Sequence, residues 1–169
     1  LAVRRQRQMC IRDRIWTLGR SKKNDWFLKD NFQIVSYKPS LKRYFILLNE
    51  EWLEKYFYVE KYDKELLENC ENEIIKKGGQ IYFGLLGTKV IATYSLLPPK
   101  NNCVELGKMA VKSDFQGKGY GQKLLKHCIK IARKNNFNKI ILFSNKKLEN
   151  SIYLYLSLIH IWRCRRTAR

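Results

Sequence analysis

The sequence predicts an α/β (α+β) domain with the element order β-α-α-β-β-β-α-β-α. Three observations carry this. Apolar residues recur at helical spacing from Leu41 to Ile75, then at a period of two from Gln80 to Val111. Gly117, Gly119 and Gly121 then separate the last strand from a second amphipathic run. The segment "KIILFS" at 139–144 is almost wholly apolar, as a strand buried inside a sheet should be. At 169 residues the chain has the length of one domain and can bury a substantial core.

Each element has its own signal. "FQIVSY" (32–37) is rich in β-branched and aromatic residues and reads as a strand. Pro39 suits the start of a helix over Leu41–Phe57, where Leu41, Tyr44, Phe45, Leu48, Trp52 and Tyr56 recur at helical spacing. "YDKELLENCENEIIKKGG" (62–79) predicts one further helix. Asp63 is placed to cap it, Lys76 and Lys77 suit its C-terminus, and Gly78–Gly79 end it. Strands at 80–87 and 89–97 join through a short hairpin turn at Gly87–Thr88. "CVELGKMAV" (103–111) is a third strand, with Gly107 marking a bulge or a close backbone approach. A helix over 119–135 turns Leu124, Leu125, Cys128, Ile129 and Ala132 inward, with lysines and a solvated His127 on the other side. After the strand at 139–144, "LENSIYLYL" (148–156) reads as a helix.

Composition narrows the class. Hydrophobic residues make up 45%, too many for a disordered chain. The net charge of +19 is uneven. Residues 1–14 carry five Arg and one Asp, residues 157–169 four Arg and no acid, and neither end has a Lys. The middle is Lys- and Asn-rich. "RQRQMCIRDR" and "SLIHIWRCRR" also resemble translated sequencing adaptor. Residues 1–14 and 157–169 are therefore read as non-native flanks around a domain at 15–156. The competing reading is a pair of basic arms for nucleic acid or acidic lipid. No apolar run approaches the roughly 18 residues of a membrane span, and no signal peptide is visible. Five widely spaced cysteines without a C-x-x-C point to free thiols in a reducing cytoplasm, and two histidines offer little to a metal site.

The glycine turn is the strongest local signal. It lacks the G-x-G-x-x-G of a dinucleotide fold and the G-K-[ST] of a phosphate-binding P-loop. Instead it offers backbone N–H groups at a helix N-terminus, with Lys118 and Lys123 adding charge. On the loop alone, an anion cradle and a ligand-free strand-to-helix turn are equally good readings.

The context points further. Gln116-x-x-Gly119-x-Gly121, following "KMAV" and opening an amphipathic helix, resembles motif A of the GNAT superfamily of acyl-CoA-dependent N-acetyltransferases. The similarity covers about residues 30–156 and is strongest over "VELGKMAVKSDFQGKGYGQKLL" (104–125). It implies a GNAT-like fold, a mixed central sheet flanked by helices. It also implies acetyl transfer from acetyl-CoA, as co-substrate and without a metal, to a primary amine by direct attack in a ternary complex. Gln116, Gly117, Lys118, Gly119, Tyr120 and Gly121 would take the CoA phosphates, and Met109, Ala110 and Val111 would offer backbone groups to the pantetheine arm. By the same resemblance Glu105 would be the base, Tyr155 the general acid and Asn145 a further CoA contact, with Asn150 a second candidate. Expected partners are a small-molecule or peptide amine, not nucleic acid or membrane, in a monomer or homodimer. Two readings compete: a basic nucleic-acid-binding module, and a catalytically degenerate member that only binds CoA.

The sequence departs from the family after Tyr155. A Gly-Phe pair and two last strands are expected there, but the chain continues Leu156-Ser157-Leu158-Ile159-His160. The expectation is a domain incomplete at its C-terminus, weak or inactive, with the outer edge of strand 139–144 exposed.

Overall fold

The computed structural model describes residues 7–10, 31–56, 61–144, 148 and 151–156. In chain order the elements are β1 (Arg7–Cys10), β2 (Phe32–Ser36), α1 (Lys42–Tyr56), α2 (Lys61–Glu68), β3 (Gln80–Leu86), β4 (Lys89–Leu96), β5 (Cys103–Val111), α3 (Tyr120–Lys134) and β6 (Lys139–Ser144). A last helix, α4, occupies 151–156. The six strands form one sheet in the order β1-β6-β5-β4-β3-β2. Every neighbouring pair is antiparallel except β5 with β6. A parallel pair needs a crossover, and α3 supplies it.

The strand pattern sorts side chains to two faces. Ile81 and Phe83 pack with Phe45, Leu67 and Ile74 beneath α1 and α2. Tyr94, Leu96 and Val104 pack with Leu124, Cys128 and Ala132 beneath α3. Each fully buried residue of this size contributes about 1.5–3 kcal/mol. Cys128 lies in this core at 0% exposure. Gly87 alone of the two turn residues takes positive φ, at +59°, while Leu86 pairs with Lys89, which is the two-residue hairpin expected at Gly87–Thr88.

Four expectations change. The helix over 62–79 is two pieces: α2 ends at Glu68, and a wider π-helical turn follows at Glu71–Ile75. Asp63 does not cap α2 but sits in its first turn, buried at 5% exposure. His127 is half-buried rather than solvated: its Nδ1 shares a hydrogen bond of 2.8 Å with Tyr94 Oη on β4. Burial, then Lys130, pulls its pKa below the ordinary histidine value. Finally, the outer edge of β6 is not exposed. Arg7–Cys10 pairs with Ile141–Ser144 along it, which removes the open edge predicted there.

Gly107 and its successor share the role assigned to Gly107 alone. A Cβ at Gly107 would stand 3.2 Å from Leu97 Cγ, so the approach is close. The bulge lies just beyond it. Ser95 pairs with Gly107 and Thr93 with Ala110, so Lys108 and Met109 face the single residue Tyr94. Lys108 takes φ +45° to make it.

Candidate functional site

The site begins where β5 and β6 separate. Their pairing runs from Cys103–Lys139 to Leu106–Leu142 and goes no further. From Gly107 to Val111, β5 keeps β4 on one side and, among the described residues, has an open edge on the other. Ala110 pairs with Thr93, and Lys112 N–H donates to Ile91 O at 2.8 Å. Strand alternation therefore turns the backbone groups of Met109 and Val111 to the open edge and those of Ala110 to β4. Val111 O accepts a bond of 2.8 Å from Gln116 Nε2, which fixes the start of the glycine turn against the strand.

The three glycines do different work. Gly117 and Gly119 take φ +74° and +81°, and nothing lies within 4 Å of where a Cβ would be. Their faces are open. Gly119 is the N-cap of α3, and no side chain caps the helix. The N–H groups of Gly121 and Gln122 in its first turn have no intrahelical acceptor, and the helix dipole makes this end electropositive. Gly121 is different: a Cβ there would meet Leu154 Cδ2 at 3.2 Å and Met109 Cε at 3.9 Å. It lets α4 and β5 close on α3.

Tyr120 turns inward, at 7% exposure, with its ring 4.9 Å from that of Phe32. Lys118 Nζ lies 5.3 Å above the Phe115 ring. Lys123 Nζ stands 5.2 Å from the rings of both Phe32 and Tyr120.

Two cavities meet here. The first, about 630 Å3, is lined by Gln116, Gly117, Gly119, Gly121, Met109 and Val111 among others. The second, about 370 Å3, is lined by Asn49, Asp63, Glu105, Lys108 and Ser144 together with apolar and aromatic groups. Trp52, Met109, Leu148 and Tyr155 line both. The structure thus brings together Glu105, Met109, Val111, Gln116, Gly117, Gly119, Gly121 and Tyr155. Ala110, Lys118 and Tyr120 line neither cavity, and Asn145 and Asn150 lie outside the described residues.

The ionisable groups are perturbed where the cavities join. Burial raises the Glu105 carboxyl above the ordinary range, with Lys100 and Lys108 opposing it. Burial, with Cys128 adding, raises the Tyr155 phenol to about 12. Sequence reading missed three residues. Asp63 binds Lys108 Nζ through Oδ1 at 2.5 Å, with side-chain exposures of 7% and 18%. Trp52 is marked in the sequence only by its helical spacing. Ser144 is buried at 6% exposure, and its Oγ has no hydrogen-bond partner among the described residues. Among the described residues no helix is long and apolar enough to cross a membrane, and no group of three His, Cys, Asp or Glu could hold a metal.

A mixed sheet that opens between two parallel strands, beside a glycine turn and an uncapped helix, defines a cleft-forming α/β domain. The chain belongs to the Acetyltransferase (GNAT) family, whose pattern matches residues 45–158. It is similar to a GNAT-family acetyltransferase from Staphylococcus aureus Mu50, at 25% identity and a TM-score of 0.68, covering 75% of this chain and 81% of that one. A GNAT-family acetyltransferase from Elizabethkingia anophelis, solved with acetyl-CoA bound, shares the fold at 22% identity and a TM-score of 0.54, over 76% and 75% of the two chains. The uncharacterized N-acetyltransferase YvbK of Bacillus subtilis is 28% identical over 99 residues, 57% of this chain. The match spans 64% of YvbK's own length.

Proposed function

We propose that the protein is an N-acetyltransferase that moves an acetyl group from acetyl-CoA to a primary amine held in the same cleft. The observation that carries this is the junction of the two cavities. One holds the open glycine turn and the other holds Glu105, and they share Met109 and Tyr155. That is the layout two substrates need if they are to meet in one ternary complex.

The residues fit acetyl-CoA. A Cβ at Gly117 or Gly119 would fill open space rather than strike a neighbour, so the backbone is accessible to a phosphate. The Elizabethkingia relative's bound acetyl-CoA supports the same choice. Gln116 to Gly121 would take the phosphates through backbone N–H groups, with Lys118 adding charge from outside the cavity. The open edge of β5 at Met109 and Val111 would take the pantetheine arm. Acetyl-CoA supplies the acetyl group as an activated thioester.

The chain's own groups then handle protons. Glu105 accepts one proton from the acceptor ammonium, directly or through a water, and a raised carboxyl is better matched to that task than an ordinary one. The Met109 backbone N–H is placed to steady charge that develops on a carbonyl oxygen, a contribution of about 3–4 kcal/mol where such a donor is aligned. Tyr155 stays a phenol at neutral pH. Complete proton transfer from a phenol at about 12 to a thiolate of ordinary pKa near 8.5 would be uphill by about 5 kcal/mol. Tyr155 therefore donates a hydrogen bond to the departing sulfur, whose proton comes from the amine nitrogen as it becomes an amide.

The test is a pair of measurements. Acetyl-CoA should raise the melting temperature, and a panel of primary amines should release free thiol from it. If acetyl-CoA neither stabilises the protein nor yields thiol with any amine, the reading fails.

A further inference from the structure

We propose that Asp63 and Lys108 are positioning residues: their ion pair holds the bulge of β5 so that the Met109 backbone N–H faces the thioester carbonyl. The inference rests on the reading above and names what aims that donor.

Residue type raises the question. Among the described residues, those with positive φ are four glycines, three asparagines and Lys108. Glycine and asparagine reach the left-handed region at least cost. A lysine has no local reason to stand there at φ +45°. A residue in such a conformation persists only where its surroundings impose it. Here the side chain supplies the constraint. Lys108 Nζ donates to Asp63 Oδ1 at 2.5 Å, and both side chains are largely withdrawn from solvent. Asp63 stands in the first turn of α2, where the helix dipole favours a carboxylate.

Such a pair is a weak device for stability alone. Taking two charges out of water offsets much of their attraction, and two apolar side chains of similar volume often do as well. What the pair holds is geometry. It ties α2 to one residue of β5 across 45 positions of sequence. That residue is half of the bulge, and Met109 is the other half. Met109 lines both cavities, at the point where they join. Turning the Lys108 backbone rotates the planar peptide that joins it to Met109, and the Met109 N–H belongs to that peptide. The tether therefore reaches the donor through a single peptide plane. Bulges beside active sites aim groups in this way.

The first experiment uses the ligand-free protein. The chain has two methionines, Met9 and Met109, so nitrogen-15 methionine labelling gives two backbone amide signals, which Met109→Leu assigns. Asp63→Asn lies far from both in sequence. It should shift or broaden the Met109 amide and leave the Met9 amide of β1 in place.

The second compares kcat on the plateau of the pH–rate profile. The apolar pair Asp63→Leu, Lys108→Leu should melt no lower than the wild type and bind CoA with unchanged Kd, because the glycine turn is untouched. Its kcat should still fall at least tenfold, part of what the loss of an aligned donor costs. The reversed pair Asp63→Lys, Lys108→Asp spans the same gap with the charges exchanged, and aspartate tolerates the left-handed position better than most side chains. It should exceed the apolar pair in kcat about tenfold. These two doubles carry the test if Asp63→Asn does not fold, since neither leaves one charge buried alone.

An apolar pair with wild-type kcat overturns the inference and leaves the transferase reading standing. So does an unmoved Met109 amide in Asp63→Asn. A reversed pair no faster than the apolar one also overturns it, because the lysine charge rather than the tether would then be what matters. Absence of both acetyl-CoA stabilisation and thiol release defeats the transferase reading itself, and the aim assigned to Met109 falls with it.

Discussion

Glu105 sits where a carboxyl is costly and useful at once. The unfolded chain ionises it near 4.3. Burial raises that value in the folded state. Between the two values the folded protein keeps a proton that the unfolded chain has lost, so stability from this group falls as pH rises through that window. Above it, the ionised carboxylate is a continuing cost. Glu105→Gln should therefore raise the melting temperature at neutral pH. It should also lower kcat at least a hundredfold, the contribution of a placed base. The acidic limb of the pH–rate profile, where activity climbs as Glu105 ionises, should vanish in the variant. A variant with unchanged turnover would remove Glu105 from the mechanism. Tyr155→Phe should reduce kcat with little change in acetyl-CoA binding. Because the phenol titrates only near 12, the wild type should show no alkaline limb from Tyr155 below about pH 11.

Among the elements, glycines distinguish strain from collision. The π-helical turn at Glu71–Ile75 ends in a Schellman motif: Gly79 N–H donates to Ile74 O at 2.8 Å and Gly78 N–H to Ile75 O at 3.0 Å. Gly78 takes φ +88°, with nothing nearer its missing Cβ than Pro99 Cδ at 3.9 Å. Gly78→Ala should cost about 1–2 kcal/mol, the price of a left-handed alanine. Gly79 takes no positive φ, but a Cβ there would lie 2.7 Å from Leu96 O and 2.9 Å from Ile74 O, both backbone atoms. Gly79→Ala should cost more, because the end of β4 must move. Urea denaturation orders the two, and equal losses would refute the distinction. The glycine pair was legible as a helix stop, since Gly after a lysine-rich turn is a local signal. Which glycine is strained and which is crowded was not, because part of the crowding comes from Leu96 O on β4, seventeen residues away.

Across the whole molecule, the same division separates what was readable from what was not. The glycine turn, α3 and the hairpin are local in sequence, so residue type and period exposed them. The wall of the second cavity is not local. Asp63 meets Lys108 across 45 residues, and Asp63 alone reads as a helix cap. Ser144 reads as one polar residue in a strand until packing buries its hydroxyl without a partner among the described residues. His127 looks solvated until Tyr94 arrives from β4. The outer edge of β6 looks exposed until Arg7–Cys10 pairs with it.

This long-range construction has a consequence for the protein as a unit. The cleft is bounded by α1 through Trp52, by β5 through Met109, by the glycine turn, and by α4 through Leu154 and Tyr155. A ligand in the first cavity touches all four, so its binding free energy adds to the stability of the whole domain rather than of one loop. At a hundredfold excess over its Kd, acetyl-CoA should contribute about 2.7 kcal/mol. For a chain of this size that is a rise of about 5–11 °C in Tm. Amide exchange should slow in 151–156 as well as in 116–122, since α4 is clamped from the same cavity. Slowing confined to 116–122 would mean that the ligand rests on the glycine turn alone and that α4 is no part of its site.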